Sequence, residues 1–158
     1  MERFFENLQK AEERINKIDH IIYVTFPLLK DKNILIQSLL GIKEAIVECI
    51  NSILQYEYLH KRIELSKDPN QNFELFKKKC SRYYSIEEKE VNLIENLFDL
   101  ARSHKKSPME FMKEGKVIIL SDNMLKKAFT VEDLKIFLKM SKNVIGKTKR
   151  IFQKFPHS

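Results

Sequence analysis

Five basic residues recur along the C-terminal helical pattern, at a spacing that could bind phosphate. They project away from the apolar stripe at 100° per residue, and no acidic residue follows Asp133. An uncompensated cationic face gives up the usual i,i+4 ion pairs, so an anionic partner such as RNA would account for it. The alternatives are an acidic protein, a membrane surface, or a solvated face. The five residues are Lys135, Lys139, Lys142, Lys149 and Arg150.

Few aromatic residues are interleaved with these five cations. Base stacking on exposed rings is the usual means of holding single strands. The sequence therefore argues against a stacking platform on this face and favours phosphate contacts alone.

The histidines offer little support for catalysis. His20 lies beside Asp19 among isoleucines, which predicts a partly buried structural residue. His60 and His104 fall where helices are expected to end, and the helix dipole favours a cation there. The sequence also lacks a Gly-rich phosphate loop, a His-Glu-x-x-His helix and a nucleophile elbow. We therefore expect the purified protein to hydrolyse neither RNA nor nucleotides.

Cys49 and Cys80 lie far apart, each within an apolar helical pattern. Buried free thiols are the expected state in a reducing compartment. No closely spaced set of Cys and His has the pattern of a zinc site. We predict neither a metal nor a cofactor.

The composition indicates one helical domain over residues 1–158. Apolar residues make up 43% of the chain and charged residues 32%, while three Gly and four Pro are too few for a many-stranded β fold. Residues 102–158 hold 14 basic and 5 acidic side chains, so the positive charge is concentrated there. The abundance of Lys and Ile with no Trp suggests an AT-rich, archaeal source.

The longest apolar stretch, Ile18 to Leu29, contains Asp19 and Pro27 and is too short to span a bilayer. The first residues lack the basic-then-apolar layout of a signal peptide. These two observations predict a cytoplasmic location.

Apolar residues at alternating steps of three and four predict a first helix from about Phe4. Pro27 has no amide hydrogen, so this helix should kink or end near Phe26. Asp31 is placed to cap a second helix that closes near Leu65 and forms an antiparallel hairpin with the first. The segment 66–72 has the composition of a loop.

A shorter helix follows, carrying Phe73, Phe76 and Cys80 inward. Ser85 and Glu88 then have the spacing of a capping box that opens a fourth helix.

The C-terminal third changes its pattern twice. A helical turn or two is expected from Ser107 to Gly115, and residues 116–129 predict a small β-hairpin. Thr130 and Asp133 form a second predicted capping box, which opens a final helix that Pro156 ends. The predicted fold is mainly α: an antiparallel bundle of four to five helices with a small β-hairpin before the last helix.

The stretch from Lys17 to Lys32, followed by the helix from Ile34 to Tyr58 with its Glu44-Ala45-Ile46, resembles the opening helical hairpin of archaeal members of the HEPN superfamily. The resemblance rests on pattern and covers this hairpin only. It implies a four-helix bundle, often dimeric, so RNA, a protein partner or a second copy of the chain are the expected partners.

HEPN ribonucleases carry an Arg, four to six residues, then a His at the start of a late helix. Arg150 and His157 have this spacing but lie across Pro156, and Arg102 with His104 is too close. The resemblance therefore implies a non-catalytic member that binds RNA or a partner protein.

Three functions follow in order. The first is a non-catalytic RNA-binding or accessory protein that uses the five basic residues. The second is a protein–protein interaction module contacting its partner through Tyr56, Tyr58, Tyr83 and Tyr84. The third is a HEPN-type ribonuclease using Arg150 and His157.

Overall fold

A three-stranded antiparallel sheet interrupts a helical chain just before its final helix. The computed structural model describes residues 3–154, and that range holds five α-helices longer than a single turn and three strands. The helices are α1 Arg3–His20, α2 Lys32–Leu59, α3 Pro69–Leu75, α4 Glu88–Lys106 and α5 Val131–Lys154. The strands are β1 Met109–Lys113, β2 Lys116–Leu120 and β3 Lys126–Thr130, in the order β1-β2-β3. The mainly helical fold class is confirmed.

α1 and α2 pack as the predicted antiparallel hairpin. The amide of Asn7 donates to Gln55 at 3.0 Å, and Arg14 donates to Glu48 at 2.7 Å, so the start of α1 meets the end of α2. α5 packs against both helices and α4 packs against α2 and α5, which closes the bundle. Burial of these apolar stripes is the main force that holds the helices together.

The predicted break near Phe26 takes the form of a change in hydrogen bonding. α1 continues as a π-helical segment, Ile21–Thr25, in which the Phe26 amide bonds to the Ile21 carbonyl. A single α-helical turn, Phe26–Leu29, follows and ends at Lys30, whose φ is 50°. Pro27 lies in the first positions of that turn, and because it has no amide hydrogen it donates no bond to the preceding π-helical segment.

Asp31 caps α2 as predicted, because its carboxylate accepts from the Asn33 amide at 2.8 Å. The helix ends at Leu59, six residues before the predicted end.

The loop prediction for residues 66–72 was wrong beyond Asp68. Its carboxylate accepts from the Asn70 amide at 2.9 Å, and α3 begins at Pro69. An Asp followed by Pro suits a turn, but it equally suits a helix cap and first helical position. The helix then passes into a π-helical segment, Phe76–Cys80.

The predicted Ser85–Glu88 capping box was wrong. Ser85 adopts a φ of 58°, outside the helix, and α4 begins at Glu88. A reciprocal box does exist two residues later, between Glu87 and Glu90. Glutamate is not a preferred cap residue, so sequence preference pointed to the serine.

The helical turn predicted for residues 107–115 is a strand. β1 and β2 are joined by a two-residue turn in which Glu114 has a φ of 53° and Gly115 a φ of 79°. Positive φ at both central positions matches the right-handed twist of a hairpin. The predicted hairpin over residues 116–129 is confirmed as the pairing of β2 with β3.

The second predicted capping box is confirmed and joins β3 directly to α5. The Thr130 amide donates to Asp133 at 2.9 Å, and the Asp133 amide donates to the Thr130 hydroxyl at 3.1 Å. Because no loop separates β3 from α5, the capping box sets the direction in which α5 leaves the sheet.

Two helical glycines provide a matched test of the helix packing. A Cβ at Gly41 would lie 2.6 Å from Cδ1 of the buried Ile18, whereas a Cβ at Gly146 would meet no atom within 4 Å. Gly146→Ala should raise the free energy of unfolding by about 1 kcal/mol through helix propensity. Gly41→Ala should not raise the free energy of unfolding, because the overpacking against Ile18 costs roughly 1–3 kcal/mol and offsets the gain in helix propensity. Chemical denaturation measures both, and an equal gain at the two positions would contradict the close approach of α1 to α2.

Candidate nucleic-acid interface

α5 presents the five predicted cations on its solvent side. Leu134, Phe137 and Val144 turn the opposite side of the helix into the core. Lys135 is half-buried and the other four are exposed. The sequence therefore placed these side chains on the correct side of the helix.

The face is not uncompensated, which corrects the sequence prediction. Lys142 bonds to Asp19, and Lys149 lies 3.1 Å from Glu12, so α1 supplies two acidic partners from across the bundle. Lys135 lies 3.5 Å from Glu132 in its own helix. The first two partners are more than 120 residues distant in sequence, which spacing along one helix cannot reveal.

Lys139 and Arg150 have no ion-pair partner among residues 3–154. Exposed ion pairs contribute only about 0–1 kcal/mol, so phosphate can displace Asp19 or Glu12 at little cost. The face therefore holds two cations without an ion-pair partner in that range and three cations in weak, solvent-exposed ion pairs.

Tyr23 lies within this cationic face. Its side chain is 52% exposed, and the Lys135 ammonium is 5.0 Å from the ring centroid. The ring, with Lys135, Lys139 and Lys142, lines a shallow depression of about 390 Å³. The sequence of α5 shows few aromatic residues among its cations, and this one exposed ring comes from a different helical segment.

Tyr23 belongs to the π-helical segment Ile21–Thr25, which directs its ring towards solvent. Ile22 and Phe26 are buried, whereas Tyr23 and Val24 between them are exposed. π-helical turns are often found at functional sites. This site could not be predicted from local spacing, because Tyr23 lies 112 positions before Lys135.

His157 of the Arg150–His157 pair lies outside the described residues, as does Pro156. The ribonuclease alternative therefore stays a prediction from sequence.

Of the other three histidines, His60 and His104 form contacts at helix ends. His20 is exposed, and not partly buried as predicted. His60 caps the end of α2, where Nδ1 lies 2.8 Å from the Tyr56 carbonyl. His104 stands in the last turn of α4 with Nδ1 2.6 Å from Glu110.

The four tyrosines proposed for partner binding divide into two pairs. Tyr56 and Tyr84 are buried, while Tyr58 and Tyr83 are 53% and 45% exposed. The Tyr84 hydroxyl donates to the buried Glu57 carboxylate at 3.1 Å. Only Tyr58 and Tyr83 are therefore accessible to a partner.

Both cysteines are free and buried, as predicted. Burial raises the pKa of the Cys49 thiol to about 12 and that of Cys80 to about 12. Both thiols are therefore protonated near neutral pH and are poor nucleophiles.

Between residues 3 and 154, no group of three His, Cys, Asp or Glu side chains is arranged to hold a metal ion. None of the helices in that range combines the length and apolarity needed to cross a membrane. No family model, curated protein or solved structure matches this chain.

Proposed function

We propose that the protein is a non-catalytic RNA-binding or accessory protein that holds single-stranded RNA on the α5 face. The proposal is carried by the exposed Tyr23 ring lying among Lys135, Lys139 and Lys142. The resemblance to the HEPN superfamily, a homodimer and a cytoplasmic location belong to the same proposal.

The arrangement combines the two contacts that single-strand binding requires. A base stacks on the exposed side of the Tyr23 ring, and the lysine ammonium groups bind the phosphates on either side of that base. Lysine is a flexible point charge and phosphate carries no sequence information, so binding should tolerate any sequence.

The intramolecular ion pairs limit how strongly binding depends on salt. Each free cation that neutralises a phosphate contributes about −0.7 to the log–log slope for a single strand, whereas a cation already paired releases fewer counterions. Two free cations and three paired ones therefore give a slope between about −1.4 and −3.5.

Tyr23→Ala should weaken binding of a labelled 12-nucleotide oligouridylate by about 5- to 150-fold, because stacking contributes roughly 1–3 kcal/mol per base. Tyr23→Phe should retain most of the affinity. Tyr58→Ala is the matched control, since Tyr58 is equally exposed but does not line the depression. Fluorescence anisotropy over a series of KCl concentrations measures affinity and slope together, and Lys139→Gln should reduce the slope by about 0.7.

Equal losses in Tyr23→Ala and Tyr58→Ala, or no binding at low salt, would contradict the proposal. Cleavage of the oligonucleotide that disappears in His157→Ala would favour the ribonuclease alternative instead.

An interaction module is the second candidate, and the half-exposed rings of Tyr58 and Tyr83 favour it. A stoichiometric protein partner whose binding is lost in a Tyr58→Ala/Tyr83→Ala variant, without any loss of RNA binding, would support that candidate.

A further inference from the structure

A cleft lined by α2 and α4 shares no residue with the α5 face. The cleft has a volume of about 1070 Å³, and α3 and the start of β1 border it. This size matches the upper end of ligand-binding pockets.

One long wall of the cleft is aliphatic. Val47, Ile50 and Leu54 face it from α2, a run of seven residue steps that extends about 10 Å along the helix, and Lys43 and Glu44 separate this run from Leu40. Phe73 and Phe98 contribute at the α3 side, with ring centroids 5.1 Å apart. The wall therefore suits an elongated apolar molecule.

Cations gather at one end of the cleft. The Lys32 ammonium donates to the Glu110 carbonyl at 3.3 Å, so the start of α2 meets the chain that follows α4, and the two helices are antiparallel. Lys43 from the first half of α2 therefore lies towards the same end as Arg102 and Lys105 from the last turns of α4.

Two of these cations have no partner. Lys43 and Lys105 form no ion pair within residues 3–154, and Arg102 lies 3.6 Å from Asp99. The dipole of α4 accounts for basic residues in its own last turn, but it does not account for Lys43 on a different helix.

Two carboxylates also border this end. Glu110 is engaged by His104 at 2.6 Å, and Glu44 is exposed at the rim. Because His104 uses Nδ1 for that contact, Nε2 keeps no hydrogen-bond partner among the described residues. The end of the cleft thus offers two free ammonium groups, a guanidinium and a ring nitrogen beside the one carboxylate of Glu44, so positive charge is in excess there.

We propose that the cleft binds an amphipathic anion, a small molecule with an elongated aliphatic body and one carboxylate or phosphate head. The body lies along the α2 wall, where it removes apolar surface from water. The head lies at the end formed by Lys43, Arg102 and Lys105, and guanidinium and ammonium groups are suited to either head.

Titration with decanoate, followed by ¹⁵N-resolved NMR, tests this proposal with the full chain. Decanoate should shift the amide signals of the α2 wall and bind at least ten times more tightly than decylammonium. Lys43→Gln/Lys105→Gln should weaken decanoate at least tenfold and leave 1-decanol unchanged. Lys10→Gln/Lys106→Gln is the matched control, because both lysines are exposed and lie outside the cleft. Decyl phosphate in place of decanoate identifies the preferred head.

Val47→Trp should obstruct the α2 wall and weaken binding of every probe, with an unchanged circular dichroism spectrum showing that the fold is kept. Equal affinity for decanoate, 1-decanol and decylammonium would overturn the proposal, as would signal shifts confined to other surfaces. Loss of RNA binding in Tyr23→Ala with decanoate binding intact would separate the two sites.

Discussion

Replacing Phe152 with alanine is expected to lower the free energy of unfolding by about 3–5 kcal/mol. The Phe152 ring is 1% exposed and is stacked on Tyr56 with centroids 4.4 Å apart. It also meets Phe4 at 5.1 Å and Phe5 at 5.8 Å, so alanine would leave a cavity between α1, α2 and α5.

Thermal unfolding followed by circular dichroism measures this loss. At about 2–4 °C per kcal/mol for a chain of this size, the midpoint should fall by roughly 6–20 °C. Ile136→Ala on the same helix is the control, because Ile136 is 51% exposed and should change stability by less than about 0.5 kcal/mol. Similar losses in the two variants would show that the α5 stripe is not packed as described.

Glu57→Ala should give the second largest loss, about 2–4 kcal/mol. The Glu57 carboxylate is buried and accepts two bonds from Arg62, at 2.9 and 2.6 Å, and one from Tyr84. Hydrogen bonds to a charged group contribute about 1.5–3 kcal/mol, and the buried Tyr84 hydroxyl would lose its acceptor. Arg62 is 41% exposed and can regain water, which keeps the loss below that of a fully buried pair.

Urea denaturation measures this variant against Glu64→Ala, whose carboxylate is exposed and should be dispensable. A loss below about 1 kcal/mol would contradict the importance of the buried carboxylate.

Tyr84→Phe separates the hydroxyl from the rest of the network. Burial and the neighbouring Glu57 raise the pKa of Tyr84, so the folded protein keeps a proton that the unfolded chain releases above about pH 10. Stability from this group is present below that pH and is lost as the pH rises further. The wild type should therefore lose more stability than Tyr84→Phe above about pH 10.

Helix caps could be predicted from sequence where the residue type strongly prefers the cap position. Asp31 and the pair Thr130–Asp133 cap helices as predicted, because their side chains satisfy amides a few positions away. Ser85 was misleading, because a positive φ removes it from the helix. Glu114 and Gly115 make a hairpin turn, but the sequence around them carries no alternating pattern strong enough to predict β1.

The candidate interface was predictable on one helix only. The period of α5 placed Lys139 and Arg150 on the solvent side, since that depends on position along a single element. The pairing with Asp19 and Glu12 and the presence of Tyr23 depend on how α1 packs beside α5. Contacts of that range arise from the whole bundle and leave no trace in local spacing.

The position of α5 in the bundle also bears on how the protein is made. α1, α2 and α4 each bury part of their apolar surface against α5, and residues 131–154 leave the ribosome after all of them. During synthesis the side chains that will surround Phe152, among them Phe4 and Tyr56, stay exposed to water and to other nascent chains. The interval before α5 emerges is therefore the time when this protein is most prone to aggregate and most in need of a chaperone.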